Sequence, residues 1–176
     1  MTKTLIASAA LLAAAVTLNA QQKSPAATAT AKIGGSTITI NYSAPSVRGR
    51  KIFGDGGLVA GDPGAPIWRA GANAATAFHT DADIKIGNLA VPKGDYTLFV
   101  NLKDPDHWEL VVNKQTGQSG LEYDASKDLG RVKMTMSKPS ALVETLKYTV
   151  ADSGGGKGKI TLEWENYLAS VPVTVK

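Results

Sequence analysis

The feature that most limits how this chain can fold is a period-two alternation that returns along nearly its whole length. Ile38, Ile40 and Tyr42 fall on one side of an extended chain, and Thr37, Thr39 and Asn41 fall on the other. The pattern recurs at Tyr96, Leu98 and Val100, at Trp108, Leu110 and Val112, at Val132, Met134 and Met136, and at Leu146, Tyr148 and Val150. Ile160, Leu162 and Trp164, then Val171, Val173 and Val175, close the chain in the same way. Turn residues separate these runs: Asn88, Gly94, Asp104-Pro105 and Gly154 to Gly156. Short alternating strands punctuated like this predict an all-β fold, a single antiparallel β-sandwich with one long Gly/Pro-rich loop. No segment carries the period of a helix longer than a turn or two. The expected core is Tyr96, Leu98, Trp108, Leu110, Met134, Tyr148, Leu162 and Val173.

The long loop is residues 43–66, "SAPSVRGRKIFGDGGLVAGDPGAP", which breaks the alternation and is dense in glycine and proline. Loops of this length in a compact domain tend to be functional or disordered. Val47, Ile52, Phe53 and Leu58 predict that this one packs onto the sandwich. A second irregular stretch, Gln115 to Asp128, is more polar, with Leu121 and Tyr123 as its anchors. "GGGKG" at 154–158 has no serine or threonine after its lysine, so it reads as a hairpin tip and not as a phosphate loop.

Residues 1–20 have the shape of a secretory signal: Lys3, an apolar run from Leu5 to Leu18, and the small Ala20 before a cleavage point. Asn19, Gln21, Gln22 and Lys23 follow the run at once, without a stop-transfer flank. The expected organisation is therefore a signal peptide over 1–20, a disordered lead-in over 21–28 and a β-sandwich domain over 29–176. The expected location is periplasmic or secreted, with no transmembrane anchor after signal removal. A chain without cysteine makes no disulfide and carries no lipid-modified cysteine. The formal charge of +4 falls to +3 without Lys3, too mild a balance for a nucleic-acid partner.

Chemistry-bearing motifs are sparse. His79 and His107 lie on separate predicted strands and lack the spacing of metal ligands, so no metal and no cofactor is expected. Asp81 with Asp83, and Glu163 with Glu165, are carboxylates two apart; on a strand each pair shares one solvated face and does not flank a cleft. There is no Gly-x-Ser-x-Gly elbow and no His-Glu-x-x-His helix, and no catalytic residue is assigned. What remains is the group Arg48, Arg50, Lys51, Arg69 and Asn73, with Trp68, Tyr42 and Phe53 as apolar neighbours.

Taken in order, "INYSAPSVRGRKIFG" (40–54), "IWRAGANAAT" (67–76), "VPKGDYTLFV" (91–100) and "ITLEWENYLASVPVTV" (160–175) resemble DUF2911, a family of exported bacterial proteins of unknown function. The resemblance spans nearly the whole mature chain and implies a β-rich domain behind a signal peptide, with no reaction and no catalytic residues attached. The chain departs from the family's pattern between Gly54 and Trp68, where "DGGLVAGDPGAPI" replaces a compact Leu-Val-Pro-Tyr-Gly-type link. "VPKGDYTLFV" also resembles the Pro-x-Gly-x-Tyr-x-Leu step of extracellular β-sandwich modules, in which a turn feeds a strand whose tyrosine and leucine point inward.

Two functional readings stand side by side. In one, the chain is an exported module with a non-catalytic binding or structural role. Arg48, Arg50, Arg69, Asn73 and Trp68 are then the candidate ligand-binding residues, for a small anionic or carbohydrate ligand, because the guanidinium is a planar fork of donors. In the other, it is a hydrolase or isomerase acting on a carbohydrate or other polar metabolite, centred on Arg69 and Asn73. An accessory domain contacting the cell envelope is a third. A closed pocket with an unpaired carboxylate favours the enzyme, and an exposed aromatic platform favours sugar binding. Arg69 also has a structural use. If residues 67–69 are extended, a buried Trp68 leaves Arg69 pointing to the long loop, where Asp55 or Asp62 can meet it.

Overall fold

The computed structural model describes residues 23–175, so the segment expected to be a signal peptide lies outside the described residues. In chain order the strands are β1 (Ala26–Ile33), β2 (Ser36–Ser43), β3 (Ile67–Trp68), β4 (Thr76–Thr80), β5 (Ile84–Ile86), β6 (Leu89–Val91) and β7 (Gly94–Asn101). They continue as β8 (Glu109–Asn113), β9 (Asp128–Lys133), β10 (Thr135–Ser137), β11 (Val143–Gly154), β12 (Lys157–Glu165) and β13 (Tyr167–Val175). One sheet has the order β1-β2-β4-β7-β8-β9, with β3 beside β7; the other has β11-β12-β13-β5-β6, with β10 beside β13. All pairings are antiparallel, and the two sheets pack into the β-sandwich that the alternation predicts. The only helical element among the described residues is a 3-10 turn, Ala125–Lys127.

Every residue of the expected core is buried, Leu98, Leu110, Leu162 and Val173 to 1% exposure or less. The irregular segments also fall where the alternation stops, since β2 ends at Ser43 and β3 begins at Ile67. Three corrections follow from pairing and packing. Residues 26–28, expected in a disordered lead-in, are the start of β1, because Ala26 to Thr28 find a ladder partner in Asn41 to Ser43. Val132, Met134 and Met136 do not share one strand: the chain changes sheets at Met134, whose N–H bonds the Trp108 carbonyl at 2.8 Å. In the long loop Val47, Ile52 and Phe53 are buried as expected, but Leu58 is 45% exposed.

β7 departs from simple alternation, for Tyr96 to Val100 are all buried. Tyr96, Leu98 and Val100 face the core, as expected of the Pro-x-Gly-x-Tyr-x-Leu step, and the Tyr96 hydroxyl bonds back to the Pro92 carbonyl at 2.9 Å. Thr97 and Phe99 face the other way and are covered by the second irregular stretch. Thr97 donates to the Gln115 carbonyl at 2.8 Å, and Tyr123 packs edge-on against Phe99 at 5.0 Å. Leu121, one of the two expected anchors, is 48% exposed, so Tyr123 holds this loop. Its hydroxyl donates to Asp128 at 2.6 Å and accepts from Arg131 at 2.8 Å.

Burial, reinforced by the bond to Asp128, pushes the Tyr123 hydroxyl up to about 12 from its ordinary value of 10.0. The fold thus favours protonated Tyr123: its contribution is complete below about pH 10 and is lost as pH rises from about 10 to 12. The melting-temperature gap between the parent and Tyr123→Phe is expected to narrow across that window. A gap that stays constant through it would contradict the role given to this hydroxyl.

Candidate functional site

The segment "IWRAGANAAT" is one strand interrupted by an excursion. Ile67 and Trp68 pair with Asn101 and Val100, and Thr76 pairs with Leu98. Both pairings use the same side of β7, since β8 occupies the other side. Between them β7 advances by Phe99 alone, so residues 69–75 must leave the sheet. Leaving a ladder strips backbone groups of their partners, and buried ones must find others. Here they do. The Ala70 carbonyl accepts from the Thr76 hydroxyl and from the Tyr148 hydroxyl, each at 3.1 Å. Ala72 N–H bonds the Ser43 carbonyl at 3.2 Å. Burial raises the Tyr148 hydroxyl above the ordinary tyrosine value, which keeps it a donor.

Two glycines make this packing possible. A Cβ on Gly71 would lie 2.9 Å from the Thr76 Oγ1 and 3.2 Å from the Ser43 carbonyl oxygen. A Cβ on Gly120 would lie 2.5 Å from the Arg69 Cδ, so glycine there lets the second loop close against the excursion. Ala70 (φ 52°) and Asn73 (φ 60°) take left-handed backbone without being glycine, a costly conformation that the surrounding bonds hold in place. Asn73 reaches the Ser24 carbonyl at 3.2 Å through its Nδ2.

The excursion and the long loop enclose an open cavity of about 500 Å³. All five candidate residues line it: Arg48, Arg50, Trp68, Arg69 and Asn73. Lys23, Asp62 and Trp164 join them. The arginines differ in what they already hold. Arg69 pairs with Asp62, the second of its two expected partners, and bonds the Asn73 carbonyl at 3.4 Å. Arg50 ties down its own loop, with Nε on the Val47 carbonyl at 3.0 Å and Nη2 on the Ser46 carbonyl at 2.7 Å. Arg48 has φ 50°, is exposed, and joins no ion pair among the described residues; its backbone N–H bonds Glu144 at 2.8 Å. Lys51 points elsewhere, to the Asp55 carbonyl at 2.6 Å. Trp68 is buried, as expected, and stacks on Trp164 with centroids 5.7 Å apart. The indole Nε1 of Trp164 is buried without a hydrogen-bond partner among the described residues.

The remaining polar candidates are spent on turns and strand edges. Asp81 and Asp83 lie in the β4–β5 connection, not on a strand, and accept the N–H groups of Thr37 (2.8 Å) and Lys93 (2.9 Å). His107 also lies off the strands, in the turn before β8, bonded to Asp104 at 2.8 Å. His79 is on β4 and bonds Asp95 at 2.7 Å. Glu163 pairs with Lys147, and Glu165, itself at φ 54°, accepts the buried Ile52 N–H at 3.0 Å. Among the described residues no three of His, Cys, Asp or Glu are grouped as metal ligands would be. Lys23, Tyr148 and Trp164 escaped the sequence reading as members of this region. Tyr148 and Trp164 look like core residues in an alternating strand, and nothing local marks Lys23.

The side chains of Arg69 and Asp62 are only 16% and 19% exposed, so their pair is worth more than an ion pair in open water. Arg69→Lys keeps the charge and loses the fork that spans Asp62 and the Asn73 carbonyl. It is expected to cost about 1 to 3 kcal/mol in denaturant unfolding. An unchanged unfolding midpoint would show that the excursion does not depend on this pair.

No curated protein and no solved structure matches the chain. A family profile, "Protein of unknown function (DUF2911)", matches residues 24–173, which takes in both sheets, the long loop and the whole excursion. With that span covering most of its length, the chain belongs to the DUF2911 family.

Proposed function

We propose that this protein is an exported, non-catalytic binding module that takes a small anionic ligand into the cavity beside the excursion. One observation carries the reading. The lining holds four cationic side chains, Lys23, Arg48, Arg50 and Arg69, against the single carboxylate of Asp62. That carboxylate is already committed, to Arg69 and to the N–H of Gly64 at 3.0 Å. The surplus charge of the lining is positive, and a carboxylate, sulfate or phosphate group supplies what balances it.

Within the broader expectation of an anionic or carbohydrate ligand, the charge favours the anion. Trp68 and Trp164 are 3% and 2% exposed, so they wall the cavity without offering the open face on which a sugar ring stacks. General acid–base chemistry needs a carboxylate or imidazole free to exchange a proton, and the lining's one carboxylate, Asp62, is already held by Arg69 and the Gly64 N–H. Of the two exposed arginines in the lining, Arg48 is better placed to meet a ligand, because the Arg50 guanidinium is tied to the Val47 and Ser46 carbonyls and that of Arg48 makes no hydrogen bond or ion pair among the described residues.

The test is calorimetric titration of the purified chain with sulfate, phosphate, citrate and galacturonate, with galactose as a neutral control. At least one anion is expected to bind with one site per chain while galactose does not. Arg48→Ala should weaken that binding about tenfold, the loss of roughly one charge-assisted hydrogen bond, without shifting the melting temperature. Absence of heat for every anion, or equal affinity in the variant, would overturn the proposal. Export rests on the basic, apolar and small-residue order of residues 1–20. Intact mass of the secreted species is expected to begin at Gln21, and a mature species that keeps the run from Leu5 to Leu18 would refute it.

A further inference from the structure

Phe53 sits between two stacked aromatic pairs, and each pair walls a different cavity. Trp68 on Trp164 (interplanar angle 17°) faces the basic cavity already described. Trp108 on Tyr167 (18°, centroids 5.1 Å) lines a second cavity of about 490 Å³ on the other side of the long loop. Phe53 packs against both members of this second pair, at 4.8 Å from Trp108 and 4.9 Å from Tyr167, and lines the second cavity itself. Leu102 and Ala60 line it as well.

We infer that this second cavity is a separate binding site for an uncharged, ring-bearing small molecule. Its volume lies within the range of about 300 to 1,000 Å³ typical of small-ligand cavities. Its accessible wall is the half-buried Tyr167 and Leu102 with the exposed Ala60 and Pro66, apolar surface that suits an apolar ring in edge or offset contact, while Phe53 and Trp108 are buried and only back it. The charged groups in the lining are Lys103 and Asp55, one of each sign, so the cavity has no surplus charge to balance an ion. An ion entering it would shed water with no net countercharge in return, since Lys103 and Asp55 offset each other, whereas an uncharged ring sheds only apolar hydration. The basic cavity has the opposite complementarity. The two sites share Val59 in their linings, which places them back to back across one loop.

The experiment uses the neutral dye N-phenyl-1-naphthylamine, whose fluorescence rises on transfer to an apolar site. Titration into the full mature chain is expected to give a saturable rise with one site per chain. Ala60 is exposed and belongs to the lining of this cavity and not to the other, so Ala60→Trp fills it from the solvent side. Leu102→Trp fills it from the half-buried wall and serves as the second variant should Ala60→Trp fail to fold. Each folded variant should weaken the dye about tenfold or more while melting near the parent. Arg48→Ala should leave dye binding unchanged. The inference is overturned if the dye does not saturate or if both filled variants bind like the parent. It is equally overturned if Arg48→Ala abolishes the signal, or if light scattering shows a dimer of the parent that Ala60→Trp converts to a monomer. Failure of anion binding in the first cavity would leave these outcomes untouched, so the two proposals fail separately.

Discussion

The position of Phe53 decides how the two cavities beside the long loop are arranged. Its ring lies within 5.7 Å, centroid to centroid, of Trp68, Trp108, Trp164 and Tyr167, and these include all three tryptophans of the chain. Trp68 and Trp108 belong to one sheet and its approach, Trp164 and Tyr167 to the hairpin of the other. The long loop therefore inserts one aromatic ring where the two sheets meet, and a buried aromatic is the largest apolar contribution a single residue can make. Ile52 follows it inward, its N–H held by Glu165 at the β12–β13 turn. A loop rich in glycine has much conformational entropy to lose, and this pair of buried residues offsets it.

Once the loop is fixed, the excursion at residues 69–75 has a wall to lean on. Asp62, carried by the loop, meets Arg69, carried by the excursion. The Tyr148 hydroxyl reaches across from the other sheet to the Ala70 carbonyl, and the second loop closes over the far side through Gly120. Non-glycine residues with left-handed backbone gather here, at Arg48, Ala70 and Asn73. Such conformations survive only where the surroundings over-determine them. The arginines of the cavity are held unequally: Arg50 and Arg69 are tied to acceptors of the loop and the excursion, and the Arg48 guanidinium has no such partner among the described residues.

Both functional proposals use the same division of labour. The loop's buried residues separate two concave regions, and the polar composition on each side sets what each can hold. Arginine and lysine give the first an excess of positive charge; aromatic and proline side chains give the second none. Part of that difference arises within the long loop, which gives Arg48 and Arg50 to the first cavity and Ala60, Ala65 and Pro66 to the second; Lys23 and Arg69 add the rest of the positive charge.

The sequence by itself determined the sandwich, the inward faces and the limits of the irregular segments. Period-two patterning needs only local geometry to be read, and a strand with one buried face has little choice of register. It singled out Arg48, Arg50, Trp68, Arg69 and Asn73 as one group along the chain, but that they line one cavity came only from the fold. Only the tertiary structure decided the rest. The burial of Phe99 and Thr97 on the outer face of β7, the break at Met134 and the pairing of residues 26–28 depend on partners far along the chain. Whether Arg69 would meet Asp55 or Asp62, and that Tyr148 and Trp164 border the excursion, also waited on the fold. Alternation tells which side of a strand is dry; it does not tell which distant residue fills the space there.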